Sequence, residues 1–320
     1  MSLSVVIPTY NNTEFLVELF DSIEKNNFTF DFEVLVGIDN CIKTLEFVTK
    51  NKFPNKVRFF FFYQNYGPYV IKNTLAKISQ YEKLFFFDSD DIMKENTLRE
   101  IHNKLDHFQL VKPKYINFDD SGENRVYNFK KPAYGEGVFG IKKDKFMSVN
   151  GFEGWRVAAD SDLMGRLYKT NIRLTHTQEI LFDRRLHPNS LTIHPETNYS
   201  SKIRARYYLM SKKKIKEDIV LNEMVIGEYQ EVFYDKQLED INSNDTYTDE
   251  VLQDILNKEE RAKKLTGLFE KLPKKMVNNT QPKTINYQQV NTLNNRQTLT
   301  NMTNALKKAK LENIQRISRR

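Results

Sequence analysis

Apolar and polar positions alternate in blocks along the first ninety residues. Four short apolar runs, each followed by polar residues, lie at residues 3–7, 32–38, 57–63 and 84–87. Runs of this length are typical of strands that are buried on both faces of a parallel sheet. The segments between them place apolar residues on one helical face, as Phe15, Leu19 and Ile23 do. This alternation predicts a Rossmann-like α/β domain with a mostly parallel central sheet and helices on both faces.

The pattern becomes less regular after residue 95. The expected elements are helices at 96–108 and 161–169, strands at 115–118 and 136–141, edge strands at 172–174 and 180–184, and a helix that starts at 202 and continues into charged sequence. Apolar positions become sparse from about residue 215. We therefore expect the α/β domain at 1–210 and a mainly helical, charge-rich C-terminal extension at 211–320.

The net charge of +7 is distributed unevenly along the 320 residues. Residues 211–260 are acidic, with a net charge of −8. Residues 261–320 are basic, with a net charge of +12, and are partly of low complexity, rich in Asn, Gln and Thr. A basic stretch of this kind indicates contact with nucleic acid, with another anionic surface, or with the acidic stretch of the same chain.

Cysteine usage and hydropathy indicate the compartment. Cys41 is the only cysteine, so an internal disulfide is excluded and a reducing compartment is expected. The first residues lack the basic-then-apolar order of a signal peptide. No apolar run approaches the roughly 18 residues that would span a bilayer. We expect a soluble, cytoplasmic protein without a transmembrane segment.

Polar residues follow the ends of the predicted strands. Asp88, Asp90 and Asp91 come directly after the fourth apolar run, Thr9 and Tyr10 after the first, and Asp39 after the second. Open α/β sheets bind ligands at the carboxyl ends of their strands. A cluster of carboxylates there favours a divalent cation, although Asp also caps helices and this simpler interpretation stays open.

The sequence lacks two familiar nucleotide motifs. No GxGxxG follows the first strand and no GxxxxGK[ST] occurs in the chain. These absences argue against a dinucleotide fingerprint and against a Walker phosphate loop.

Seven segments, in order, resemble the family 2 glycosyltransferases of the GT-A fold over roughly residues 2–200. They are SVVIPTYNN, FEVLVGIDN, NYGPYVIKN, FFFDSDD, VNGFEG, AADSDLMGRL and RRLHPNSLT. The resemblance implies a nucleotide-diphospho-sugar donor, most simply a UDP-sugar, and non-processive transfer. It also implies a set of donor-binding residues, namely Pro8, Thr9, Tyr10, Asp39, Asn65, Gly67, Lys72, Asp88 and Ser89. The family usually has an acid where this chain has Ile38.

The same resemblance implies a site for Mn²⁺ or Mg²⁺. Asp88 and Asp90 match the acid–any–acid (DXD) motif, in which Asp90 would ligate the metal. Asp88 would bond the ribose or a metal-bound water. His187, in the segment HPNSLT, would complete the metal shell or contact the diphosphate. A lone loop histidine is also often only solvated, and Arg184 and Arg185 are either diphosphate contacts or edge-strand charges.

Asp160 falls where the family has its general base, at the start of a helix. A general base takes the proton of the acceptor hydroxyl as that oxygen attacks the sugar. Ala159 replaces the Glu that usually precedes this Asp. Trp155 and Asp162 are candidate acceptor-binding residues, since indole faces stack on sugars. Their alternatives are a core aromatic and a first-turn acid favoured by the helix dipole.

The leading hypothesis is a metal-dependent, inverting glycosyltransferase. Its acceptor is a glycan or small molecule, or a hydroxymethylated base in DNA that the basic stretch would help to bind. The alternatives are a nucleotidyltransferase, which PTYNN does not favour, and a non-catalytic binding module for nucleotide-sugar or nucleic acid. A homo-oligomer is compatible with the sequence.

Overall fold

The computed structural model describes residues 2–26, 30–54, 56–119, 126–127, 136–219, 221 and 223–232. The predictions for the basic stretch at 261–320, and for most of the acidic stretch, lie outside the described residues. The two parts of the fold are best followed in chain order, because they build the sheet differently.

The first part is a regular alternation of parallel strands and helices. Its elements are β1 Leu3–Thr9, α1 Thr13–Glu24, β2 Phe32–Asp39, α2 Ile42–Lys50, β3 Val57–Phe62, α3 Pro68–Ile78 and β4 Lys83–Phe86. The strands pair in parallel in the order β3-β2-β1-β4. The sheet therefore develops outward from β1, as in doubly wound folds.

The second part adds mixed strands, most of them on the far side of β4 and the last one beside β3. Its elements are β5 Ile92–Met93, α4 Thr97–His107, β6 Leu110–Asp119, β7 Val126–Tyr127, β8 Phe139–Lys142, α5 Lys143–Ser148, α6 Ala159–Tyr168, β9 Leu174–Leu186, α7 Lys202–Lys216 and β10 Tyr229–Val232. In the described chain the strands of both parts form one ten-stranded sheet. Its order is β10-β3-β2-β1-β4-β8-β6-β9-β5, and β7 pairs with β6.

Both faces of the sheet are covered by apolar side chains. Along β1, Val5 belongs to one core cluster and Val6 to the other. The first cluster takes apolar residues of α1, α2 and α4, and the second takes those of α3, α5 and α6. Gly37 allows α3 to approach closely, since a Cβ there would lie 2.2 Å from Ile71 Cγ2. The predicted α/β class, with helices on both faces, is thus confirmed.

Two expectations for the second part need correction. The edge strands expected at 172–174 and 180–184 are one long interior strand, β9, between β6 and β5. A register shift between Lys112 and Lys114 in β6 disturbs their pairing, because Pro113 has no N–H to donate to the ladder. The continuity of β9 is hidden in the sequence because residues 175–179, THTQE, are polar and interrupt the apolar pattern.

The sheet also extends past residue 210. β10 lies within the stretch that the sequence assigned to a mainly helical extension, and it pairs antiparallel with β3. Its four residues are too few and too polar to show a strand pattern. No helix in the described part of the chain combines the length and apolar character needed to cross a membrane.

Candidate active site

A cavity of about 460 Å³ opens where β1, β2 and β4 end. Parallel strands place their carboxyl ends at one edge of the sheet, so residues from distant positions meet there. The lining includes every residue that the resemblance assigned to the donor, the metal or the base: Pro8, Thr9, Tyr10, Asp39, Asn65, Gly67, Lys72, Asp88, Ser89, Asp90, Asp160 and His187.

Asp39 holds the loop that precedes α3. Its carboxylate accepts hydrogen bonds from the backbone N–H groups of Tyr66 at 2.7 Å and of Gly67 at 2.9 Å. Gly67 has a φ of +83°, a left-handed conformation that glycine adopts without strain. Burial raises the pKa of Asp39 from its usual 3.8 to about 6, although the two N–H donors and Arg156 act in the opposite direction. Asp39 therefore both lines the cavity and holds the loop at residues 66 and 67 in place.

Lys72 is a buried cation at the centre of the cavity wall. It lies on α3, and its Nζ donates to Asp88 Oδ1 at 2.7 Å and to the Gly137 carbonyl at 3.0 Å. The Lys72 side chain is 2% exposed and that of Asp88 40%. The ammonium is thus fixed in place while the carboxylate beside it still reaches the cavity. This is a suitable position for a positive charge that meets phosphate oxygens.

The acids after β4 are joined to the end of β9. His187 Nε2 lies 2.9 Å from Asp90 Oδ2. Asp91 is buried and accepts from the backbone N–H of Arg185 at 2.9 Å. Burial, together with the charges of Asp90 and Asp88, holds the pKa of Asp91 well above its usual range. The carboxylates therefore crowd one another at this edge of the sheet.

The predicted metal residues are only partly brought together. His187 joins Asp90, whereas Asp88 is paired with Lys72. Among the described residues, no group of three or more His, Cys, Asp or Glu side chains is arranged to hold a metal ion. Asp90 and His187 are consequently a two-residue pair, and further ligands would have to come from bound substrate or water.

Asp160 lies at the first turn of α6 and faces the cavity. It accepts from the Ser161 N–H at 2.8 Å and from the hydroxyl of Tyr69. Burial raises the pKa of Asp160, while Ser161 and the positive charges of Arg204 and Lys72 act in the opposite direction. Ala158, just before the helix, has a φ of +64°, and such a strained backbone conformation is often found at functional sites.

The two predicted acceptor-binding residues lie elsewhere. Asp162 is completely buried and pairs with Arg166, whose Nε donates to Asp162 Oδ2 at 2.8 Å. Trp155 stacks on Tyr207 with ring centroids 4.9 Å apart and an interplanar angle of 11°. Both side chains belong to the packing around α6 and α7, so direct contact with an acceptor is not supported. The simpler interpretations, a first-turn acid and a core aromatic, fit their positions.

Several residues of the lining were missed by the sequence analysis. They are Tyr69, Tyr115, Glu136, Arg156, Tyr199 and Arg204. Tyr69 lies inside the segment NYGPYVIKN, so its place at the start of α3 was a usable signal. The others belong to no motif, and only the folded chain brings them to the cavity.

Comparisons with known proteins agree with this geometry. Residues 4–163, half of the chain, match the family model described as Glycosyl transferase family 2. The chain is 34% identical over 126 residues to the poly(ribitol-phosphate) beta-N-acetylglucosaminyltransferase TarS of Staphylococcus aureus strain Mu50, covering 37% of this chain and 22% of TarS. It is 33% identical over 120 residues to TarP, of the same named activity, from strain N315, covering 35% and 36%.

A third relative is the glycosyltransferase GlyG of Streptococcus pneumoniae serotype 4, 29% identical over 129 residues, covering 38% of this chain and 42% of GlyG. The chain thus spans less than half the length of each of these curated relatives. The crystal structure of S. aureus TarS 1-349 in complex with UDP-GlcNAc gives a TM-score of 0.56 at 19% identity, covering 86% of this chain and 77% of that one. The complex with UDP gives 0.53 at 19% identity, covering 86% and 76%.

The fold, with its cavity at the strand ends, defines a GT-A-type α/β domain. The family match over half of the sequence makes the assignment specific. The chain belongs to glycosyl transferase family 2.

Proposed function

We propose that this protein transfers a sugar from a UDP-sugar to an acceptor hydroxyl with inversion at the anomeric carbon. One observation carries the proposal: a single cavity holds the buried carboxylate of Asp160 together with Lys72 and the acids that follow β4. Asp160 is suited to taking a proton. Lys72 is suited to contacting a diphosphate, and the acids after β4 are suited to binding its counter-ion. The solved TarS complexes with UDP and UDP-GlcNAc support the choice of donor.

The proposed reaction is a direct displacement. The acceptor oxygen forms a bond to the anomeric carbon while the bond from that carbon to the diphosphate oxygen breaks, and the electron pair leaves with the nucleoside diphosphate. Asp160 takes the acceptor proton. Its raised pKa makes it a better proton acceptor than an ordinary carboxylate, because a general base works best with a pKa close to the working pH.

Binding of the donor is assigned to the first part of the fold. The strand ends with Thr9 and Asp39 receive the nucleoside, and Lys72 faces the diphosphate. Because Asp39 is held by Tyr66 and Gly67, this surface is ordered before the donor arrives. A preordered site loses less conformational entropy on binding.

The residues present fit a divalent cation. Asp90 supplies a carboxylate oxygen and His187 an imidazole nitrogen at the cavity. Burial, and after it the charges of Asp90 and Asp88, raises the pKa of Asp91, and such a cluster of carboxylates favours a positive ion nearby. Asp90 and His187 would hold Mn²⁺ or Mg²⁺, with Asp88 reaching it through water. When bound, the ion would neutralise charge on the diphosphate as it leaves.

The relatives suggest where to begin with substrates. TarS and TarP are named as transferases of N-acetylglucosamine to poly(ribitol-phosphate), so UDP-GlcNAc and a glycan-type acceptor are our first choices. The alternative of a DNA base as acceptor rests on the basic stretch at 261–320, which lies outside the described residues, and it stays a prediction.

The proposal is tested by a donor panel on the full chain. UDP-GlcNAc, UDP-glucose, GDP-mannose and dTDP-glucose are compared for thermal stabilisation and for hydrolysis, with Mn²⁺ and with EDTA. We expect a UDP-sugar to stabilise the protein and to be hydrolysed only with the metal. Asp90→Ala should abolish the Mn²⁺-dependent hydrolysis and the stabilisation by donor, whereas Asp21→Ala, at an exposed position on α1, should behave as wild type.

The panel also separates the alternatives. Release of diphosphate from a nucleoside triphosphate would identify a nucleotidyltransferase instead. If the protein binds a donor but does not hydrolyse it in the presence of Mn²⁺, a non-catalytic binding module is favoured. Full activity of Asp90→Ala at saturating donor would refute the metal assignment.

A further inference from the structure

The cavity continues beyond the acids, along the order of the strands. In the sheet, β2, β1, β4, β8 and β6 are successive neighbours, and adjacent strands lie about 4.8 Å apart. A nucleotide-sugar has its parts in a fixed order: nucleoside, diphosphate, sugar. With the nucleoside at the ends of β2 and β1 and the diphosphate at Lys72 and Asp88, the sugar lies over the next strands. Those strands are β8 and β6.

Glu136 and Tyr115 line the cavity at that place. Glu136 comes shortly before β8, and Tyr115 lies on β6. The Tyr115 hydroxyl donates to Glu136 Oε1 at 2.6 Å. Tyr115 itself is buried, with its ring centroid 5.1 Å from that of Phe182 and the Arg184 guanidinium carbon 5.8 Å from the ring centre. A packed tyrosine of this kind holds the Glu136 carboxylate in one orientation.

Glu136 is next in sequence to a residue of the diphosphate region. Gly137 accepts from Lys72 Nζ through its carbonyl at 3.0 Å. A Cβ at Gly137 would lie 3.3 Å from Lys72 Nζ and 3.7 Å from Asp88 Oδ2. The backbone at Gly137 therefore lies in direct contact with the Lys72–Asp88 pair, and Glu136 is one residue away from it.

Asp160 and Glu136 also share an electrostatic neighbourhood. Burial lowers the pKa of the Lys112 amine to about 8, and the negative charges of Glu136 and then Asp160 act in the opposite direction. Both carboxylates also line the same cavity. Asp160 and Glu136 therefore both border the space in which the donor sugar is proposed to lie.

We propose that Glu136, held in place by Tyr115, accepts hydrogen bonds from hydroxyl groups of the donor sugar and so decides which UDP-sugar the protein uses. This inference rests on the proposed function. An ionised carboxylate has two acceptor oxygens with about four lone-pair sites, so a carboxylate that already has partners can also accept from sugar hydroxyls. Because the Glu136 carboxylate is fixed in position, it favours a sugar with one arrangement of hydroxyl groups. An epimeric sugar would place a hydroxyl where Glu136 cannot accept its hydrogen bond.

The test compares the nucleotide alone with the nucleotide-sugar. For the full chain with Mn²⁺, the affinity for UDP and kcat/KM for UDP-GlcNAc, UDP-glucose, UDP-galactose and UDP-GalNAc are measured. In Glu136→Gln, kcat/KM for the preferred donor should fall about 10- to 100-fold, the effect of losing a hydrogen bond to a charged group. The preference over the epimer should shrink, and UDP affinity should stay within about twofold.

A second variant and a matched control complete the experiment. Tyr115→Phe should reduce the same preference in the same direction, by about threefold to tenfold. Glu179→Gln, at an exposed position on β9, should leave both UDP affinity and donor preference unchanged.

The outcomes separate the two proposals. Unchanged donor preference in Glu136→Gln, or an equal loss of UDP affinity, overturns the assignment of Glu136. Should Glu136→Gln not fold, an unchanged preference in Tyr115→Phe overturns it. If the wild-type protein turns over none of the UDP-sugars, the proposed function itself is wrong.

Discussion

The cavity has two walls that are built in different ways. The nucleotide wall, named for its proposed role, consists of residues 8–10, 39, 65, 67–69, 72 and 88–91, at the ends of β1, β2 and β4 and the start of α3. The transfer wall, likewise named for its proposed role, consists of residues 136–138, 156, 157, 160, 182, 184, 185, 187, 189–192, 199 and 204, from the approach to β8, the start of α6, the end of β9 and the approach to α7. The first follows from adjacent parallel strands, and the second requires the whole second part of the fold.

The contacts of each wall show this difference. On the nucleotide wall, Asp39 reaches Tyr66 and Gly67, in the loop between the neighbouring strand β3 and α3. On the transfer wall, His187 meets Asp90 of the nucleotide wall, 97 residues away in sequence. A motif at a strand end can therefore be read locally, whereas the second wall depends on how β9 returns to the sheet.

Neighbouring positions on the transfer wall also have different environments. Asp160 and Asp162 are two residues apart at the start of α6, yet Asp160 lines the cavity and Asp162 is buried against Arg166. Helical geometry turns residues two apart to different sides of the helix. The wall therefore holds one acid suited to chemistry next to one that holds the fold.

The largest expected effect distinguishes these two acids by activity. Asp160→Asn keeps the size of the side chain but does not accept a proton, so the transfer rate should fall by about 10²- to 10⁴-fold. The affinity for UDP-sugar should stay within about threefold. Rates come from turnover under saturating donor, and affinities from calorimetry.

The matched control for this change is Asp144→Asn. Asp144 is exposed in the first turn of α5, and the N–H of the following residue lies 2.8 Å from its Oδ1, as for Asp160. It should retain wild-type activity. A collapse of donor affinity in Asp160→Asn would show that Asp160 holds the donor or the fold, and the two walls would then not differ in function.

The next effect is on stability. Asp162→Asn removes the charge that pairs with the buried Arg166, which otherwise donates to the carbonyls of Val149 and Gly151. Leaving one buried partner of an ion pair uncompensated should lower the free energy of unfolding by about 3–5 kcal/mol. Urea denaturation measures this change. The kcat/KM of the folded fraction should stay near that of wild type, and a selective loss of activity would instead return Asp162 to the acceptor site.

The smallest effect concerns the nucleotide wall and pH. The pKa of Asp39 is about 6 in the folded protein against its usual 3.8, so the folded state binds the proton more tightly than the unfolded chain. This contribution to stability is fully present below about pH 4 and is lost as pH rises through 6. Relative to Asp39→Asn, the wild-type free energy of unfolding should decline by about 2–3 kcal/mol between pH 4 and 7.

The comparison with Asp39→Asn isolates this one group, because the other buried carboxyls titrate equally in both proteins. Urea denaturation at several pH values supplies the measurement. A difference between the two proteins that is independent of pH would mean that Asp39 has an ordinary pKa in the folded state.

The sequence predicts the nucleotide wall well for a physical reason. Buried parallel strands are apolar at nearly every position, so the point where the apolar run stops marks the strand end and the polar residue that follows. That reasoning located Thr9, Asp39 and Asp88 without a structure. The fold class follows from the same alternation.

The transfer wall was predicted only where a motif marked it. Asp160 and His187 came from the family resemblance, whereas Tyr199 and Arg204 had no local signal because their position depends on the path between β9 and α7. Trp155 shows the opposite case. An indole beside the segment with Asp160 suggested sugar stacking, whereas its ring packs on Tyr207. Such a tertiary contact leaves no trace in the local sequence, and the acceptor role of Trp155 stays a prediction.

The short strand β10 affects the tendency of this protein to aggregate at high concentration. β3, with the sequence VRFFFF, would otherwise present a row of unpaired backbone groups beside four phenylalanines. Such an edge is a template for pairing with other chains and for amyloid-like aggregation. β10 pairs with this edge. Arg58 of β3 also donates to Glu231 of β10, from Nε to Oε1 at 2.8 Å and from Nη2 to Oε2 at 3.1 Å. The four residues of β10 thus cover the phenylalanine-rich strand β3.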